Sequence, residues 1–207
     1  MAKAPAPQFP DTAAGPPTAG RKPRADSQRN RERLIAAAKA AFAQSGTDVA
    51  LDEIARRAGV GIGTLYRHFP TRDAIVEAVY RRERQQLADS AHSLSADLPP
   101  GEALRQWMRV FVDFIATKKV MASALSAILA GTPELYAASG FVIPDILADL
   151  VARARAAGDI RPDADADDIL RALIGFTYGA NGPGWEESAL RLIDILMDGL
   201  KAPPAPP

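Results

Sequence analysis

The stretch Leu51–Phe69, LDEIARRAGVGIGTLYRHF, carries the reading on which the fold of this chain turns. Its first half sets Leu51, Ile54, Ala55 and Ala58 on one face of a short helix and leaves Arg56 and Arg57 off that face. Gly59 stops the helix, because glycine supplies the left-handed backbone that a tight helix-to-helix turn needs. Val60 plugs the turn into the core, and a second apolar stripe follows through Ile62, Leu65, Tyr66 and Phe69. Two short helices crossing at such a turn form a helix-turn-helix, whose second helix can enter a DNA major groove. The G-x-G spacing inside GVGIG would suit a dinucleotide loop only after a buried strand, and an amphipathic helix precedes it instead.

Upstream, from about Gln28 to Gln44, Leu34, Ala37 or Ala38, Ala41 and Phe42 share one face of a predicted helix. Asp26 or Ser27 can cap its start and Ser45-Gly46 can end it, after which Thr47, Asp48 and Val49 form a connector with Val49 in the core. Before it lie roughly 25 residues rich in Pro, Ala and Gly without hydrophobic periodicity, a composition that predicts disorder. The cluster Arg21, Lys22 and Arg24 sits where this tail meets the helix; such a tail can follow phosphates or reach a minor groove, or serve only as a solubilising extension.

Downstream, Pro70 ends the third helix and Thr71 is a good N-cap for a long fourth one. That helix is expected from Arg72 to about Ser90 or Ser95, with Ile75, Val76, Val79, Tyr80 and Leu87 along one side. The expected division is a tail over 1–26, a helix-turn-helix domain over 27–75, a helical domain over 76–201 and a tail over 202–207, with the domain boundary along the fourth helix.

Composition narrows the function classes. Of 207 residues 47% are hydrophobic and 24% charged, which suits a soluble globular protein. The absence of cysteine excludes disulfides and thiolate metal sites, and His68 and His92 are too few and too separated for a metal site. Neither a cofactor nor a catalytic constellation is expected, so the chain reads as no enzyme. Without a secretion signal or an apolar run of about 18 to 20 residues, a cytoplasmic location away from membranes is expected. Residues 1–87 hold 15 Lys and Arg against 9 Asp and Glu, whereas 88–207 hold 10 against 16. A +6 half and a −6 half suggest that only the first faces a polyanion, the alternative being ordinary solvated charge.

The remaining residues read as helices throughout. One is predicted over 102–117, one over 120–130, and one from Tyr136 or Gly140 to Ala157 with an interruption near Pro144. Another starts at Asp163 or Asp165 and reaches about Tyr178, and the last runs from Glu186 to Leu200. Asp163, Asp165, Asp167 and Asp168 read as a helix start, with a divalent-cation site as the alternative.

Residues 29–76, above all LDEIARRAGVGIGTLYRHFPTRDAIV, resemble the DNA-binding domain of the tetracycline-repressor (TetR) family of bacterial transcription regulators. The resemblance implies an all-α homodimer: a three-helix DNA-binding domain joined by a fourth helix to a variable domain for a small-molecule effector. It implies that Gly61, Ile62, Gly63 and Thr64 open the recognition helix, with Ile62 able to meet a thymine methyl. Tyr66 and His68 match phosphate-contact positions, Arg67 and Arg72 would reach the DNA backbone, and Arg24 and Arg29 extend this surface. One position departs from the pattern: Ala50 stands where many members carry a capping Ser or Thr, which removes a cap and a phosphate donor.

In such regulators the last two helices pair between subunits, which assigns Leu170, Leu173, Ile174, Leu190, Ile193, Leu196 and Met197 to a dimer interface. Trp107, Met108, Phe111, Phe114, Met121, Tyr136, Phe141, Phe176 and Tyr178 are the candidates for a pocket lining; ordinary core packing is the alternative for each. The expected function is a repressor that holds a palindromic double-stranded operator until a largely apolar molecule releases it. The alternative is a DNA-binding protein whose second domain only dimerises.

Overall fold

A computed structural model describes residues 22–131, 142–179 and 182–201. The expectations for the tails at 1–21 and 202–207, and for Tyr136 and Phe141, fall outside these residues. The described chain folds as helices: α1 Lys22–Ser45, α2 Leu51–Arg57, α3 Ile62–His68, α4 Arg72–Asp97, α5 Pro100–Val120, α6 Ala122–Gly131, α7 Val142–Ala156, α8 Ala166–Tyr178 and α9 Trp185–Leu200. The fold is all-α. An isolated bridge between Ile160 and Lys201, with the Arg161 N–H donating to the Leu200 carbonyl at 2.8 Å, ties the end of α9 to the loop after α7.

Local chemistry explains where the helices stop and start. Gly59 has φ +64°, and beside it the Gly59 N–H reaches the Arg56 carbonyl and the Val60 N–H the Ala55 carbonyl, both at 3.0 Å. These bonds satisfy carbonyls that the end of α2 would otherwise leave unpaired. Thr71 caps α4 by accepting the Ala74 N–H at 3.1 Å. Asp165 caps α8 by accepting the Asp167 and Asp168 N–H groups at 2.9 and 3.1 Å. The aspartate run is therefore a helix start, and the described residues hold no group of three or more potential metal ligands.

Some details of the helices differ from expectation. The described part of helix α1 already includes Arg24 and Asp26, which are helical residues and not part of a tail. Asp26 pairs with Arg29 one turn on. Pro144 lies within the described α7, while the expected start at Tyr136 or Gly140 falls outside the described residues. Helix α5 starts earlier than expected, at Pro100.

The core runs through both halves. In the N-terminal unit Leu34, Ala38, Ala41 and Phe42 of α1 meet Ile54 and Ala55 of α2, Leu65 of α3 and Phe69, closed by Ile75, Val76 and Val79 of α4. None of the three short elements could bury such a set alone, which is why they fold as one unit. In the C-terminal half an aromatic column leads from α4 into α5: Tyr80 stacks on Phe114 at 6.1 Å, and Phe111 stands 6.3 Å from Phe114 and 6.0 Å from Trp107. The Trp107 indole N–H donates to the Leu87 carbonyl at 3.1 Å, fixing the column to α4.

Helix α4 belongs to both halves. Its buried Glu83 accepts from Lys39 of α1, and its Arg82 donates to the Glu32 carbonyl at 3.2 Å. Across the bundle Arg105 and Arg109 of α5 both donate to Asp194 of α9 at 2.8 Å. The Arg109 bond, then the charges of both arginines, hold the Asp194 carboxyl below its ordinary range, so this tie between α5 and α9 stays ionised.

Candidate nucleic-acid interface

The turn before α3 is built to a tight tolerance. Arg33 of α1 reaches the Gly59 carbonyl at 3.4 Å, and a Cβ at Gly59 would sit 2.5 Å from the Arg33 Nη2. The positive backbone angle demands glycine, whereas the exposed Arg33 side chain could swing aside for a methyl group. At the start of α2 Ala50 has extended backbone and offers no cap, as its side chain dictates. Asp52 and Glu53 stand in the first turn, where their charge favours the helix dipole. Glu53 is held by Arg57 at 2.7 Å and by Arg56, bonds that push its carboxyl below the ordinary range. Arg57 also donates to the Gln44 side chain at 2.7 Å, so the cations of α2 serve local contacts.

Helix α3 separates the apolar stripe into two faces. Leu65 and, just beyond the helix, Phe69 are buried in the small core. Ile62 and Tyr66, one turn apart, remain 42% and 50% exposed. Gly61, Gly63 and Arg67 are exposed with them, whereas Thr64 and His68 are half-buried. The structure thus gathers Ile62, Gly63, Tyr66 and Arg67 on the outward side of one helix. Burial, then the positive charges of Arg31 and Arg67, lower the His68 pKa below its ordinary value, so near neutrality the ring is an uncharged hydrogen-bonding group.

The cations are distributed differently from expectation. Arg72 does not project from the surface: its Nη1 donates to the Thr47 carbonyl and, at 2.6 Å, to the Val49 carbonyl, bracing the loop before α2. Two carbonyls at that loop need a donor, and Arg72 is the donor within reach. Arg24 and Arg29 are exposed on α1, Arg29 paired with Asp26. Arg31, which no sequence spacing singles out, lies over the Phe69 ring at 4.6 Å and adds positive charge at the end of α3.

Among the described residues, most of the side chains expected to line a pocket are packed in the core. Trp107, Met108, Phe111 and Phe114 of α5, and Met121 just beyond its end, are buried in the packed core. Phe176 packs against that core, and Tyr178 is 43% exposed beneath Lys119, whose Nζ stands 5.7 Å from its ring. A cleft of about 450 Å³ lies instead between α4 and α7, lined in part by Ala88, Ala91, His92, Ile146 and Arg153. On the last two helices Leu173, Ile193 and Met197 face the core of their own chain. Leu170, Leu190 and Leu196 are half-buried, while Ile174 and Ile195 are 44% and 66% exposed. Ile195, the most exposed of these, sits on the side of α9 turned away from Ile193 and Met197, where core periodicity does not point to it.

An exposed short helix after a glycine turn, seated on a long helix that leads into a bundle, defines a helix-turn-helix protein with a helical C-terminal domain. Residues 34–79 match the family model for bacterial regulatory proteins of the tetR family, and residues 99–202 match that for the C-terminal domain of SbtR-like transcriptional regulators. The structure of a TetR transcriptional regulator from Streptomyces coelicolor is 45% identical, with a TM-score of 0.76 over 84% of this chain and 99% of that one. A TetR transcription regulatory protein from Mycobacterium vanbaalenii is 36% identical, with a TM-score of 0.69 over 86% and 99%. The HTH-type transcriptional regulator SrpR of Pseudomonas putida is 38% identical over 94 residues, a match that spans 44% of this chain and only 41% of SrpR. The chain belongs to the TetR family of bacterial transcriptional regulators, a family of regulators and not of enzymes.

Proposed function

We propose that this regulator binds a palindromic operator as a homodimer through α3, and that a small, largely apolar molecule releases it. The observation that carries the DNA reading is the outward face of α3, where Ile62 and Tyr66 stay in water beside Arg67. Burying an isoleucine and a tyrosine is favourable, so their exposure at the tip of the basic half calls for a surface that accepts both apolar contact and positive charge. A major groove supplies thymine methyls between two rows of phosphates. Arg67, Arg24 and Arg29 would add phosphate contacts together with Tyr66 and the neutral His68, whereas Arg72 contributes by holding the loop in front of α2. Gly61 and Thr64 lie where the helix meets the duplex.

A second copy is supported by Ile174, Tyr178 and Ile195, large apolar side chains left exposed on α8 and α9. A twofold pairing of these helices buries the same patch on each subunit and sets two α3 helices toward one duplex. The α4–α7 cleft is the candidate effector site in place of the aromatic column, because a ligand there touches the helix that joins both halves. A ligand that prefers one position of α4 shifts the dimer away from its DNA-binding state by its difference in affinity for the two.

Selection of random duplex fragments by the purified protein, followed by gel-shift titration, tests this reading. The expected product is a symmetric sequence whose binding weakens steeply as salt rises; recovery of no preferred sequence would overturn it. Thermal-shift screening of apolar compounds tests the effector. A compound that raises Tm and releases the duplex, and does neither with Ile146→Trp, supports the α4–α7 cleft; a screen without any such compound favours a domain that only dimerises.

A further inference from the structure

We propose that Lys39 and Glu83 form a polar lock that sets the angle between the DNA-reading unit and the helical bundle, and through it the half-site spacing that the dimer accepts. This rests on the homodimer reading above and goes beyond it, since it assigns operator-spacing specificity to two positioning residues that touch neither DNA nor effector.

Glu83 stands where the helical period calls for an apolar side chain. It lies four residues after Val79 and four before Leu87, both of which α4 buries. Among the described residues it is the one charged residue that is buried, 6% exposed. Its partner Lys39 on α1 keeps a side chain that is 42% exposed, so the carboxylate bears most of the desolvation. Stability does not explain such a pair, because well-packed apolar residues of similar volume hold two helices together as well or better. Nor does the small core depend on it, since Ile75, Val76 and Val79 already close that core.

What an ion pair adds over an apolar contact is direction. Two apolar side chains tolerate a slide of one helix along the other, whereas the Lys39 ammonium must stay within bonding distance of one carboxylate. The preceding residue supplies a second fixed point, because Arg82 donates to the Glu32 carbonyl at 3.2 Å. Glu32 and Lys39 stand two turns apart on α1, about 10 Å along its axis. Two directional bonds at separated points fix a crossing angle that one bond would leave free to pivot. Bulk does not fix it there, since Ala36, Ala40 and Ala43 present only methyl groups to the groove beside the pair. The lock also sits where α4 passes from one half to the other: Val79 belongs to the small core, and the Leu87 carbonyl accepts the Trp107 indole N–H of the bundle. A rotation at this point displaces α3 in both subunits of a twofold dimer and changes the distance between the two recognition helices.

The test uses the full-length protein and its double variant Lys39→Met with Glu83→Leu. Each is titrated against a duplex selected by the wild type and against versions with one base pair added or removed at the centre. Each such change turns one half-site by about 35° relative to the other. The double variant should match or exceed the wild-type Tm, while its preference for the native spacing falls by roughly three- to thirtyfold. Lys39→Arg, which keeps a cation opposite Glu83, should retain the preference, and its loss there would count against an ionic lock. An ion pair that serves stability alone would move Tm and leave the spacing preference as it is. A lower Tm for the double variant, or an unchanged preference, would therefore overturn the lock, as would a wild-type protein indifferent to spacing. If the wild-type protein selects no duplex, the DNA reading fails and the lock fails with it.

Discussion

Two faces of the molecule leave large apolar side chains in water, and they differ in what surrounds them. On α3 Ile62 and Tyr66 stand beside Arg67, with Arg31 at the end of the helix. On α8 and α9 Ile174 and Ile195 each stand three residues from an ion-paired side chain, Arg171 with Asp168 at 2.6 Å and Asp198 with Lys201 at 2.9 Å, while Tyr178 lies beneath Lys118 and Lys119. Exposed apolar surface alone says that a partner is missing; the charge beside it distinguishes the partners. The first face suits a polyanion with apolar groups on its edge, and the second, with ion pairs near Ile174 and Ile195, a self-complementary surface.

The comparison can be broken at either face. Ile195→Asp should have the largest effect, because it would place unpaired carboxylates in a twofold interface: self-association is expected to weaken by about a hundredfold or more while the monomer stays folded. Sedimentation equilibrium reads this directly, and an unchanged mass would move the interface elsewhere. Arg72→Ala comes next. It strips the donor from two loop carbonyls and should cost about 1–3 kcal/mol of stability in a denaturant titration, which a phosphate contact on the surface would not. Tyr66→Ala should lower duplex affinity by roughly tenfold yet stay within about 0.5 kcal/mol of wild-type stability, as expected for a surface residue.

The smallest effect belongs to His68. Its pKa is lowered in the folded chain by burial and by Arg31 and Arg67, so the unfolded chain takes up the proton first as pH falls. The contribution is therefore fully present above the ordinary histidine value of 6.5 and is lost as pH drops through it toward the folded value. His68→Asn should remove that part of the fall in Tm between pH 7.5 and 5.5; an identical pH profile would show that His68 does not carry it.

The same contrast explains what could be read from the chain. The helix-turn-helix is legible because its determinants are local: Gly59 must adopt positive φ, Thr71 and Asp165 cap the helices they precede, and Leu65 and Phe69 sit where the period puts the core. Periodicity joins Ile62 and Tyr66 to that core stripe as readily as Leu65, and only the packed unit shows that α1 and α2 cover one side of so short a helix. In the bundle the difficulty is greater. Trp107, Phe111 and Phe114 have the composition of a pocket and the spacing of a core, and the choice depends on Tyr80 and Leu87 of α4 meeting them. Arg72 reads as a free cation until the Thr47 and Val49 carbonyls are seen beside it. The helical residues of α1 before Gln28 carry no apolar period, so periodicity does not extend the helix to them.

The central claim is that two copies of this chain set their α3 faces on one duplex. Hydroxyl-radical footprinting of a selected duplex, with the wild-type protein and with Ile195→Asp, tests it most directly. Two protected segments related by a twofold axis, with half-site centres one helical turn or a multiple of it apart, about 10 base pairs or more, are expected for the wild type, and both should fade together for Ile195→Asp. A single protected segment, or a footprint that survives Ile195→Asp unchanged, would contradict the account.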